Sequence, residues 1–179
     1  METNRYPLSM RILHWLMAAI AVTMFCIGFY MAGIPDEAPN KHDLYPWHMS
    51  FGVLMLLLVC VRLVNRLRSE LPVPPATHAA WERKAGRTAH YLMYGLLFLV
   101  PVAGYVMVGS YAEGHGIAFF GSTLPDLVPK NESLFEAAHE AHEIGAFALI
   151  AVACVHLLAA LRHRYIAKDP DADVIKRII

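Results

Sequence analysis

Cysteine is scarce and scattered in this chain. Cys26, Cys60 and Cys154 are the three thiols in 179 residues, and each falls inside a long apolar stretch. That dispersal supports neither a disulfide framework nor a metal knuckle, and it leaves them as small packing residues. No Cys-x-x-Cys-His run occurs, which excludes covalent attachment of a c-type haem. Charge is thin as well. Charged residues make up 17% of the chain, where a soluble domain carries about a quarter. The formal net charge is zero, and no basic face interleaved with aromatics exists, so nucleic acid is not a partner. Low-complexity sequence, a soluble module and an internal repeat are all missing.

What is present is apolar sequence: 57% of residues are hydrophobic. Four stretches, 10–32, 47–65, 88–109 and 136–161, are long enough to cross about 30 Å of hydrocarbon. The first is longer than a signal-peptide core and lacks a cleavage site after it, so it reads as a retained helix. The prediction is all-α: an integral membrane four-helix bundle and a single domain over 1–179. Of the 15 basic residues, 13 lie at or before the start of span one, from the end of span two to the start of span three, or after span four; only Lys41 and Lys130 lie elsewhere. The positive-inside rule therefore places both termini in the cytoplasm. Pro72, Pro74 and Pro75 keep the loop near 71–80 extended. The outer loop 110–133 carries Phe119 and Phe120 and reads as a cover over the outer end of the bundle. Pro101 and Gly104 imply a local kink in span three. The charged tail after Tyr165 reads as an interfacial helix or a frayed end.

Against that background the ten histidines stand out. His14, His48, His90, His142 and His156 lie inside apolar stretches, where an imidazole costs several kcal/mol unless something binds it. His142 and His156 are fourteen residues apart on one helix, which returns them to within about 40° of one face, roughly 21 Å apart along the axis. Depth follows from the topology. His48 and His142 fall at the outer level; His14 and His156 fall at the inner one. Each level offers two imidazoles from two helices, with small residues Ser50, Gly52, Ala141 and Gly145 nearby. Two imidazoles flanking a flat cofactor is how a bundle holds haem b for electron transfer, and inner arginines suit its propionates. Zinc prefers four ligands around one point. His90 is a third inner histidine, able either to replace His14 opposite His156 or to line an adjoining site. His163, at the inner interface, is placed to hydrogen-bond a quinone carbonyl and supply protons. His42, His78 and His115 read as solvated loop residues, and His139 as an outer rim residue. A proton or metal-ion path is disfavoured, because spans two and three contain no Asp or Glu.

These residues resemble the bacterial cytochrome b561 family. The resemblance lies in His14–Trp15, in His48 after the aromatic Trp47, and in the spacing of His142 and His156. It extends to the run from His90 through Tyr94, Gly95 and Pro101 to Gly104, and to His163 two residues before Tyr165. It covers nearly the whole chain. The resemblance implies a di-haem, multi-pass cytochrome of the bacterial inner membrane, embedded in lipid. It implies His14 with His156 as axial ligands of one haem iron and His48 with His142 of the other, with His90 a non-ligand. It also implies an oxidoreductase that takes electrons from a periplasmic donor, superoxide in one activity of the family, and passes them to ubiquinone. Relatives with the same helices are instead electron-relay subunits docked to a dehydrogenase or hydrogenase; four spans rather than five favour the stand-alone type. One feature departs from the superoxide type. The outer loops set Asp36, Glu37, Asp43, Glu113, Asp126 and Glu132 against Lys41 and Lys130, whereas a steered anion site shows excess positive charge. A neutral quinol or a basic redox protein suits such a face at least as well.

Overall fold

Backbone groups in lipid must bond to one another, so long apolar stretches become helices. The computed structural model describes residues 5–35, 37–73, 77–114, 116–167 and 173–179. Asp36, Pro74, Pro75, His115 and Lys168 lie outside the described residues. Helices α1 (Leu8–Gly33), α2 (Tyr45–Arg68), α3 (Ala80–Ser110) and α4 (Glu132–Tyr165) are each long and apolar enough to cross a membrane. Every helix outruns the apolar span that marks it in the sequence, by up to eight residues at the start of α3. Polar turns continue each helix past the lipid-facing part where side chains satisfy its ends. Asn131 caps α4, its side chain accepting from the Leu134 N–H at 2.9 Å. Glu82 accepts from the Ala79 N–H at 3.0 Å at the start of α3. Arg162, His163 and Arg164 fill the last turn of α4, where cations suit the helix dipole. α3 stays helical through Pro101.

The helices pack in chain order, α1 on α2, α2 on α3 and α3 most extensively on α4. Among the described residues no Cα of α4 comes within 8 Å of α1 or α2. A gap therefore separates α4 from the first two helices, bridged by side chains such as Phe29 and Phe147, 6.0 Å apart. The tight core lies on the other side, where Met17, Ile20, Met55 and Val59 are buried against Phe51, Tyr94 and Leu97. Apolar residues such as Val22, Leu57, Leu99 and Val155 stay exposed on the outside, as lipid requires. Cys26, Cys60 and Cys154 are exposed too, so they are not the packing residues the sequence suggests. Small side chains cost little at a lipid-facing surface.

The departure from helix is a hairpin, β1 (Ile117–Phe119) and β2 (Ser122–Leu124), antiparallel with Phe119 opposite Ser122. Its turn residues Phe120 and Gly121 both have positive φ, 43° and 86°. That is the two-residue turn hairpins favour, but with phenylalanine where Asn, Asp or Gly is usual. The strain is held by docking. The Phe120 N–H donates to Ser50 Oγ at 2.9 Å, and the ring meets Phe51 edge-on at 5.5 Å. The long loop thus covers one end of the bundle, as its length and aromatics predict. The first and last described residues lie at the opposite end. The Tyr6 N–H donates to the Arg177 carbonyl, and Trp15 Nε1 to that of Ile178. Residues 173–179 are neither frayed nor an interfacial α-helix: they form a 3-10 turn at Ile175–Arg177, with Arg177 buried and donating to the Val73 carbonyl. Satisfying that buried guanidinium on the 71–73 segment is what fixes the tail.

Ser50 is buried; its hydroxyl donates to the Pro46 carbonyl at 2.6 Å, with the Ala118 carbonyl a longer alternative at 3.3 Å, and accepts from the hairpin. Ser50→Ala is expected to destabilise the docked hairpin by about 1 kcal/mol, the net worth of the lost Phe120 N–H bond. Faster amide exchange at Phe120, with helical amides unchanged, is the measurement.

Candidate functional site

Two groups of imidazoles face the gap along α4. At the hairpin end, His48 of α2 and His142 of α4 are half-buried, their ring centres 6.1 Å apart at 72°. His142 Nδ1 lies 2.9 Å from the Val100 carbonyl oxygen. Opposite an acceptor the ring nitrogen must donate, so Nε2 of the neutral ring keeps a free lone pair. The approach needs Gly104: a Cβ there would lie 2.9 Å from Nδ1 and 3.1 Å from Cε1. Across the gap, His48 Nδ1 is buried with no hydrogen-bond partner, and a Cβ on Gly28 would sit 3.6 Å from its Cε1.

At the end with the termini the structure gathers three imidazoles. His90 of α3 and His156 of α4 have ring centres 5.4 Å apart. His14 of α1 meets Trp15 edge-on and has its Nδ1 3.5 Å from a terminal nitrogen of Arg62 on α2. The same guanidinium donates to the Tyr94 hydroxyl at 3.1 Å and to the Met10 carbonyl at 3.0 Å. Beyond this group lies a pair that the sequence does not suggest. His78, expected as a solvated loop side chain, is buried and stacked on His163, ring centres 4.2 Å apart and 22° from parallel. Its carbonyl accepts from Arg83, and Glu82 bridges to Arg162 at 2.7 Å, so the loop is clamped to the end of α4. The prolines that mark this loop as extended say nothing about where it docks. His42 is exposed beside Tyr45, and His139 is exposed at the rim against Phe135, as expected.

Among the described residues no three His, Cys, Asp or Glu side chains gather closely enough to hold a bare metal ion. What the gap offers is imidazole pairs. A family model described as prokaryotic cytochrome b561 matches residues 5–176. The chain belongs to that family. It is 29% identical to "Cytochrome b561 homolog 2" of Escherichia coli (strain K12) over 177 residues, 98% of this chain and 92% of the relative. It is 27% identical to the "Probable superoxide oxidase CybB" of Yersinia pestis over 163 residues, 88% of this chain and 87% of the relative. Membership makes the chain a multi-pass bacterial membrane protein of electron transfer and implies haem b.

The hairpin-end pair fits such a cofactor. Imidazoles on opposite sides of one metal ion, at about 2 Å per metal–nitrogen bond, have ring centres about 6 Å apart, close to the separation of His48 and His142. His142 also has the arrangement usual for a metal-bound imidazole, with its second nitrogen donating to a carbonyl. Gly104→Val is expected to push that ring off the Val100 carbonyl. Haem content by pyridine haemochrome should fall as far as in His142→Ala. Gly95→Val, where an added Cβ would meet nothing within 4 Å, should leave it unchanged.

Proposed function

We propose that this chain is a stand-alone di-haem cytochrome b of the bacterial inner membrane, with both termini in the cytoplasm. In this reading it is an oxidoreductase that carries electrons from a periplasmic donor to ubiquinone. His48 and His142 hold the periplasmic-side haem; His14 and His156 hold the cytoplasmic-side one. The observation that supports this best is His142, anchored through Nδ1 with Nε2 free, facing His48 across a gap the helix backbones do not close. Haem held by these imidazoles would supply one-electron storage, which suits electron transfer. With superoxide as donor, two superoxide ions, one quinone and two protons give two dioxygen molecules and one quinol.

The chain's own part at the cytoplasmic end is to place the acceptor and deliver protons. His163 sits at the aqueous rim, its ring held against His78 and flanked by the Glu82–Arg162 pair. An N–H from such a ring bonds a quinone carbonyl and is replenished from the cytoplasm. His90, beside His156, lines the inner side of this site.

A second reading, an electron-relay subunit for a partner, draws support from the periplasmic face. Lys41 donates to the Ile34 carbonyl at 2.6 Å, capping α1, and Lys130 is paired with Asp126 at 2.7 Å. That leaves weak steering for an anion and suits a basic redox protein.

Purified protein with a superoxide source and a quinone separates the readings: partner-free quinol formation supports the first, and none supports the second. His48→Ala and His142→Ala should each remove one haem of two, and His14→Ala and His156→Ala the other. Both haems surviving in His14→Ala but not in His90→Ala would move the ligand role to His90. His163→Ala should slow quinone reduction by roughly tenfold or more, with haem content unchanged.

A further inference from the structure

Arg62 is a cation inside a membrane-spanning helix, half-buried, with no carboxylate within 4 Å among the described residues. Intramembrane charges without a partner are costly, so a retained one has work to do. Three helices hold this one in place: the Met10 carbonyl of α1 and the Tyr94 hydroxyl of α3 accept from it, and its own α2 carries it. Its third nitrogen faces His14 Nδ1. Arg62 is within electrostatic reach of His14, His90 and His156, the whole imidazole group at this end. At the hairpin end, among the described residues, His142 is bonded to a carbonyl and His48 Nδ1 to nothing. One imidazole level therefore has a cation hydrogen-bonded within it, and the other does not. Arginine stays protonated, so the asymmetry is permanent.

We propose that Arg62 sets the direction of electron flow by raising the reduction potential of the haem at the His14–His156 level above that of the haem at the His48–His142 level. This rests on the di-haem reading above. A reduced haem carries one more negative charge than an oxidised one, and a fixed cation in a low-dielectric setting favours the more negative state. The sign holds whether the guanidinium stays on its present partners or turns to a haem propionate. Electrons arriving at the hairpin end then settle at the end where quinone is reduced.

The test is a redox titration of the purified, haem-loaded full chain, followed in the visible spectrum. In Arg62→Gln one of two midpoints should fall by about tenfold in the reduction equilibrium, about 59 mV for a one-electron couple; the other should stay put. Arg62→Lys, which keeps the charge, should stay near wild type. In a His142→Ala background, left with the haem near Arg62, the Arg62→Gln shift should persist; in His156→Ala it should vanish. Two wild-type components that Arg62→Gln leaves unmoved would overturn the inference, as would Arg62→Lys falling as far as Arg62→Gln. If Arg62→Gln loses haem, Arg62→Met, which keeps the length of the side chain without its charge, decides: a downward shift confined to one midpoint supports the inference, and no shift overturns it. A wild-type protein lacking two b-type components would refute the di-haem reading instead.

Discussion

A ring nitrogen placed in hydrocarbon must find a partner, and most of this molecule is arranged around that demand. The His142 N–H has nowhere to go in lipid except to a backbone carbonyl, and in an α-helix carbonyls are already engaged and shielded by side chains. α3 offers one at Val100 because Gly104, on the next turn, leaves room for the ring to come in against the backbone. Once Nδ1 is tied there, Nε2 faces the gap with a free lone pair. His48 answers from α2 with a buried Nδ1 that nothing in the protein satisfies. An unpartnered ring nitrogen beside His142 suits the haem b that the family implies.

The same demand explains how much of this was legible in the sequence. Twenty apolar residues in lipid have one backbone solution, so the helices and their number could be read directly. The depth of each histidine followed from its distance to the basic flanks, and it correctly set His48 opposite His142. The helix ends could not be read so well, because capping residues such as Asn131 and Glu82 extend them into polar sequence that hydropathy discards. The hairpin was hidden for another reason. Its strands have three residues each, and its turn places Phe120 where Asn or Gly would announce it. Only the tertiary anchors, Ser50 and Phe51, make that choice tolerable. His78 was hidden likewise, since nothing local tells a docked loop histidine from a solvated one. At the lower level, depth alone could not rank His14 against His90: the His90 ring lies 5.4 Å from that of His156, while His14 meets Arg62 and Trp15.

The two ends of the bundle are built for different tasks. At the hairpin end the imidazoles meet a backbone carbonyl and each other, and the rings of Trp47, Phe51 and Phe120 pack together over the helix ends. Its lysines are spent on the C-terminus of α1 and on Asp126. At the other end polar groups are concentrated: Arg62 and Tyr94 inside, His78, His163, Glu82 and Arg162 at the rim. A one-electron carrier needs little from its surroundings except a dry, fixed pair of ligands. A two-electron, two-proton acceptor needs donors, charge compensation and a path from water.

That division bears on why Arg62 is tolerated in a bilayer. A guanidinium whose partners among the described residues are a carbonyl, a phenol and an imidazole, and no carboxylate, keeps most of its positive charge uncompensated. In a purely structural role a neutral donor would serve the same two acceptors at lower cost. The charge is useful only if something near it becomes more negative, and the groups within its reach are the three imidazoles of this level. In the di-haem reading proposed above, Arg62 gives the field along α4 a slope that holds an electron at the His14–His156 level while protons reach the acceptor from the rim.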